Sequence, residues 1–293
     1  DSNLEEGMTP HLRQWLDNQT DERATQIGLS LPSLARLDLN GGAFGGFVND
    51  TDRSQFTPVI FIHGNSDRAL GGELGGWSAT TTRLKAAGYR SADVYATTYG
   101  PADSAYAFSE AYQHTVENVL RIRLMIELIL EYTESEEVNV VAHSLGTTLT
   151  RRALLGGMMQ DQRHQIDLGP PLTGSIKTFI SLAGAHLGLS SCYLSVSPVC
   201  SVDLGLYPGQ LTAVGVVGQS RILQTLNATS GYEGHHRISI WSPADELIGG
   251  RCLVWGQNTC QLPEYTHDYR QPGLSHLEVR DQTVDLQLEI LTR

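Results

Sequence analysis

The sequence predicts an α/β fold built on a mostly parallel, doubly wound sheet. Three observations point there. Short apolar runs recur along the chain: "PVIFIHG", "ADVYATTYG", "EVNVVA", "SIKTFISLAG" and "HHRISIWSP". Segments of helical period lie between them, and strands alternating with helices imply parallel strands joined by crossovers. One run passes into a helix through "AHSLG" with no loop between. The 293 residues suffice for one large domain. We expect residues 1–57 to be an N-terminal extension packed on the core and residues 58–293 to be the domain itself.

Along the chain, a short helix is expected over residues 10–15, and "NGGAFGGF" at 40–47 reads as a flexible glycine-rich loop. "PVIFIHG" is apolar on both faces, as a buried parallel strand should be. "GWSATTTRLKAAGY" reads as a helix closing at Gly88, and "ADVYATTYG" as the next strand. Val116, Val119, Leu120, Ile122, Ile126, Ile129 and Leu130 recur at helical spacing in a long helix over residues 105–132. Glu117, Arg121, Arg123 and Glu131 occupy its polar positions. "EVNVVA" is a strand, and "GTTLTRRALLGG" a helix ended by Gly156 and Gly157. "SIKTFISLAG" and "HHRISIWSP" are two more strands, and "VRDQTVDLQLEIL" is a final helix. Residues 186–235 break the alternation. So long a connection usually carries function, and we read it as a lid-like insertion over the active-site end of the sheet.

Composition excludes several classes. With a net charge of −12 there is no electrostatic footprint for nucleic acid or an anionic membrane. "VLRIRLMIELIL" is broken by Arg121, Arg123 and Glu127, so no transmembrane segment is expected. The glycine-rich stretch is not followed by GK[ST] or GxGxxG, so no phosphate-binding cofactor is expected. The four cysteines form two local pairs without C-x-x-C spacing, which argues against a metal and for two short disulfide loops in an oxidising compartment. Four cysteines allow three connectivities. A chain starting at Asp1 fits a processed or a truncated form; no signal peptide is visible, and a mature secreted protein would have lost one.

Ser144 lies at the strand–helix junction. A tight turn there would make bulky side chains two residues to either side collide, and those positions hold Ala142 and Gly146. This is the nucleophile-elbow pattern with Ala for the first glycine of G-x-S-x-G. The competing reading is a helix N-cap, a role serine favours. A nucleophilic serine needs a base and an acid, here in the order Ser, acid, His. Asp245, in the turn after "RISIW", is the expected acid, with Glu246 as its neighbour and alternative. His276, just before the last helix, is the expected base, and His267 beside Asp268 is the competitor. For the oxyanion we expect the N–H groups of Leu145 and, after the early strand, Asn65, with His63 orienting that loop.

These residues resemble a known family. "PVIFIHGNSD", "LKAAGY", "VNVVAHSLG" and "FISLAG" are similar to the class 2 lipases of the α/β-hydrolase superfamily, and to extracellular polyhydroxyalkanoate depolymerases with an A-H-S-x-G pentapeptide. The resemblance runs from about Pro58 to His276. It implies an α/β-hydrolase fold, with Ser144 as nucleophile, Asp245 as acid, His276 as base, and Asn65 and Leu145 as oxyanion donors. It also implies disulfides Cys192–Cys200 and Cys252–Cys260. The substrate implied is a lipid or other ester, in solution or at a lipid or polymer interface. The depolymerase insertion is long and aromatic, whereas residues 186–235 carry only Tyr193, Tyr207 and Tyr232. That favours a lipid or small-ester substrate.

Overall fold

A computed structural model describes residues 7–293; residues 1–6 of the expected N-terminal extension lie outside them. Among the described residues the central sheet has seven strands: β1 (Ala43–Phe44), β2 (Val59–Ile62), β3 (Val94–Thr97), β4 (Val138–His143), β5 (Ile176–Leu182), β6 (His236–Trp241) and β7 (His267–Arg270). Their spatial order is β1-β3-β2-β4-β5-β6-β7. Only β1 runs antiparallel; the other pairs are parallel.

The period of two along the strands explains the layers. Ile60 and Ile62 of β2 face one core, while Val59 and Phe61 face the other. The first core is covered by α1 (Pro10–Asp17), α2 (Glu22–Ile27), α4 (Val116–Thr133) and α5 (Leu145–Leu155), through Leu12, Leu16, Ala24, Val119, Ile126, Leu149 and Ala153. The second is covered by α3 (Ser78–Ala86), α7 (His276–Asp281) and α8 (Val284–Leu291), through Leu84, Val279 and Ile290. With both faces dry, β2 and β4 carry no exposed residue. Each large side chain in this sandwich, such as Phe61, contributes about 1.5–3 kcal/mol by burial.

Four local expectations need correction. The long helix starts at Val116, not near residue 105, because the Thr115 hydroxyl caps it by accepting from the Asn118 N–H at 3.2 Å. Its arginines are not a solvated face. Arg123 is buried and donates to Glu127 (2.7 Å), Ala153 O (2.8 Å) and Pro170 O (2.7 Å), tying α4 to the end of α5. The C-terminal helix is two, broken between Asp281 and Val284, where the Gln287 amide donates to the freed Arg280 carbonyl at 2.8 Å. "NGGAFGGF" is no flexible loop: Ala43 and Phe44 pair with β3, and Thr98 Oγ1 donates to Gly42 O at 2.6 Å.

The insertion after β5 is stapled by Cys192–Cys200. It carries a two-stranded hairpin (Gln210–Thr212 with Gly215–Val217) and α6 (Arg221–Asn227). The loop after β6 is stapled by Cys252–Cys260. Arg151 of α5 anchors the end of the insertion. Its guanidinium meets Glu233 at 2.8 Å with both side chains fully buried, and also donates to Asn227 Oδ1 and Leu226 O. No described helix is long and apolar enough to cross a membrane.

Histidines act as buried neutral struts. His114 Nδ1 lies 2.9 Å from Leu204 O and Nε2 lies 2.9 Å from Thr148 Oγ1, joining insertion and α5. Burial pulls its pKa down to about 4. His186, 2.8 Å from Ser181 Oγ, is likewise held well below the ordinary value by burial and then by Arg151. The unfolded chain protonates such groups near pH 6.5, the folded chain only at lower pH. Their contribution is therefore complete above about pH 6.5 and falls by about 1.4 kcal/mol per histidine per pH unit below it. Thermal melts between about pH 7.5 and 5 should show Tm dropping with acid, and His114→Gln, which does not titrate, should flatten that slope while lowering Tm itself.

Candidate active site

Asn65, Ser144, Asp245 and His276 each sit on a loop or helix start beyond the carboxyl end of a parallel strand, the end of an open α/β sheet where ligands bind. Ser144 follows β4 directly, with φ 54° and ψ −129°. For a residue with a Cβ that backbone costs on the order of 1–3 kcal/mol. Ser144 stands at the N-cap position of α5, yet its side chain makes no capping hydrogen bond. The capping role therefore fails on geometry. The helix start is closed instead through the Ser144 carbonyl, which accepts from Thr147 N (3.0 Å) and Thr147 Oγ1 (2.7 Å). As the first residue of α5, Leu145 has an N–H with no partner inside the helix.

Two glycines make the turn fit. A Cβ at Gly146 would lie 2.2 Å from the His63 carbonyl oxygen, so the loop after β2 and the start of α5 touch backbone to backbone. A Cβ at Gly64 would lie 2.9 Å from Ser144 Cβ and 3.1 Å from His143 Nδ1. The loop after β2 is thus pressed against Ser144. Asn65 follows, its amide donating to Ala107 O (2.8 Å) and its oxygen accepting from Ser66 Oγ (2.7 Å). Its side chain is thus occupied in holding the loop.

His63 is wedged beneath. Tyr99 N donates to Nε2 at 3.1 Å, which places the proton on Nδ1, 2.7 Å from Gly64 O. The ring stacks on Tyr99 at 4.2 Å, and the Tyr99 hydroxyl donates to His63 O. Burial pushes its pKa down to about 3, so it is a neutral brace.

Asp245 and His276 meet. Asp245 Oδ2 accepts from His276 Nδ1 at 2.7 Å, and Oδ1 accepts from the N–H groups of Leu247 (3.0 Å) and Ile248 (2.8 Å). Both residues are 3% exposed. The alternative acid, Glu246, is exposed and plays a different part, accepting from the His276 backbone N–H at 3.0 Å. The competing base is placed elsewhere. His267 is exposed on edge strand β7, a strand that "YTHDY" does not reveal, and Asp268 accepts from Trp241 Nε1 and Gln261 Nε2.

His143, the second residue of "AHSLG", to which the sequence assigns no role, connects the two halves of the site. Its Nε2 donates to His276 O at 3.2 Å, and its ring lies 4.7 Å from the His276 ring. Burial, then the neighbouring His276, keeps its pKa well below the ordinary value. The residue next to Ser144 therefore packs against His276. The signal for this in the sequence is a polar ring at the end of a strand that is mostly apolar.

A family profile, Lipase (class 2), matches residues 56–289. The chain belongs to the class 2 lipase family. Its fold is that of the α/β-hydrolases. Aspergillus fumigatus lipase B is similar in structure, with a TM-score of 0.57 at 15% identity over 86% of this chain and 56% of that one. Bacillus licheniformis lipase BlEst2 in its mature form aligns with a TM-score of 0.50 at 15% identity, over 86% of this chain and 98% of that one. In its propeptide form the TM-score is 0.52 at 16% identity, over 86% of this chain and 54% of that one. The chain thus spans little more than half the length of the first of these. No curated protein matches it by sequence.

Gly146→Ala should damage fold and site together, because the methyl meets a backbone carbonyl that cannot rotate away. We expect a loss of about 1–3 kcal/mol in stability, read by denaturant unfolding, with ester hydrolysis falling further than the folded fraction.

Proposed function

We propose that the protein is a secreted serine carboxylic-ester hydrolase, a lipase or esterase acting on lipid or acyl esters through Ser144, His276 and Asp245. The observation that carries this reading is the buried 2.7 Å contact between Asp245 and His276, packed through His143 against a strained serine that caps nothing. With Nδ1 bound to a carboxylate, Nε2 is the nitrogen free to take a proton. His276 removes the Ser144 proton as the oxygen attacks the ester carbonyl. Asp245 holds the tautomer and stabilises the imidazolium. The N–H groups of Leu145 and Asn65 hold the oxyanion, His276 protonates the leaving alcohol, and water repeats the cycle on the acyl-enzyme.

Several features bear on the substrate. The apolar side chains of Phe108, Leu194, Val196 and Leu247 are largely exposed on the segments around Asn65 and Asp245 and on the stapled insertion. They suit an acyl chain or a lipid surface. The insertion's aromatics are less available than a polymer-binding face requires: Tyr193 stacks on Trp255 at 4.1 Å, and Tyr232 is buried beside Arg151. That weighs against polyester depolymerisation. The two disulfides favour an extracellular setting.

Ser144→Ala should abolish hydrolysis of p-nitrophenyl esters and labelling by an organophosphonate while the circular dichroism stays that of the parent. Asp245→Asn should lower kcat by roughly four orders of magnitude. Near-parental turnover in Ser144→Ala would overturn the scheme. Clearing of emulsified triglyceride without clearing of polyester film is the expected substrate pattern; the reverse would replace lipase by depolymerase.

A further inference from the structure

The loop that supplies Asn65 and the helix that begins at His276 come from opposite ends of the chain, yet one ion pair joins them. Asp67 Oδ2 accepts from Arg280 Nη1 at 2.5 Å, with the two side chains 2% and 1% exposed. Each partner is also fixed on its own side. Asp67 Oδ1 accepts from the N–H groups of Arg68 (2.8 Å) and Gly76 (3.1 Å), closing the loop on itself. Arg280 Nη2 donates to Leu74 O at 2.6 Å, and Arg280 also forks onto Asp281. Arg280 is four residues after His276 in α7, one turn along the same face. Asp67 is two residues after Asn65, whose neighbour Gly64 presses on Ser144.

We propose that Asp67 and Arg280 are positioning residues, whose ion pair sets the Gly64–Asn65 backbone and the His276 ring at a fixed separation on either side of Ser144. The inference rests on the serine-hydrolase reading above. Neither residue touches the reacting atoms. A buried ion pair contributes little net stability compared with an apolar pair of the same volume. What a planar guanidinium adds is fixed donor directions: here the fork onto Asp281 holds the group on α7 while Nη1 and Nη2 reach Asp67 and Leu74 O of the loop, two elements whose relative placement decides whether base and oxyanion donors converge on one carbonyl. A misplacement of about 1 Å at such a distance costs about a hundredfold in rate.

The test uses the whole chain with Asp67→Asn, which keeps the acceptor for the loop's own N–H groups, and Arg280→Lys, which keeps the charge without the fork. The double variant Asp67→Asn/Arg280→Met leaves no lone buried charge and serves if either single variant fails to fold. Reactive sites are counted by stoichiometric organophosphonate labelling, and kcat and KM for a p-nitrophenyl ester are expressed per labelled site. We expect kcat to fall about ten- to a hundredfold with KM within about twofold. Parental kcat per site in folded variants with a lowered Tm would make the pair purely structural and overturn the proposal. So would a raised KM at unchanged kcat. Ser144→Ala runs in parallel: if it retains turnover the serine reading fails, whereas its loss beside unaffected pair variants sinks the positioning role alone.

Discussion

The site depends on one backbone turn. Ser144 leaves β4 in a conformation that side-chain-bearing residues avoid, and α5 begins at once. Such a residue persists only where its surroundings over-determine it. Here β4 is buried along its whole length between β2 and β5, and α5 is buried from Leu145 through Leu154. Neither element can shift to relax the junction. The contact of Gly146 with the His63 carbonyl and of Gly64 with Ser144 then brings the next loop in. The strain fixes where the hydroxyl stands.

Buried polar groups around that turn divide the work without adding free charge. His63 and His143 are kept neutral by burial and both hold backbone: His63 through Gly64 O and the Tyr99 N–H, His143 through His276 O. Neutral rings at these positions do not compete with His276 for a proton. Asp245, by contrast, has three donors on its two oxygens, the arrangement by which a buried carboxylate is kept from being an unpaired charge. The carboxylate, the imidazole and the serine come from the turns after β6, β7 and β4. The sheet brings the segments that carry them to the same end, the carboxyl end of its parallel strands.

Much of this is legible in the residue pattern, for a physical reason. A strand buried on both faces is rich in apolar residues on both, so β2, β4 and β5 announce themselves in "VIFI", "VNVV" and "TFISL", with Asn139, Thr178 and Ser181 as buried polar interruptions. The elbow forbids volume at two fixed offsets, so Ala142 and Gly146 are visible without coordinates. β7 is not legible, because an edge strand reading "HDYR" is half wet and needs no apolar run. Nor is β1, two residues long and framed by glycines. The start of α4 is obscured because two short 3-10 turns, Ser104–Tyr106 and Glu110–Tyr112, precede it with no strong breaker between. The roles of Glu246, His143 and Tyr99 depend on contacts between distant segments, which no local pattern encodes.

The arginines show how far composition misleads when contacts are ignored. Charged residues within "VLRIRLMIELIL" and "LTRRALL" would ordinarily mark solvent-facing positions. Arg123, Arg151 and Arg152 are instead buried, and each donates to backbone carbonyls where an element ends or a loop returns: Ala153 and Pro170, Leu226, Gly156 and Met158. A helix terminus leaves carbonyls without intrahelical partners, and a guanidinium can satisfy several at once. The long connections that build the site after β4, β5 and β6 create such orphan carbonyls. In this fold the buried arginines follow from the insertions, and the same chemistry that closes α5 also anchors the segment that borders the candidate active site.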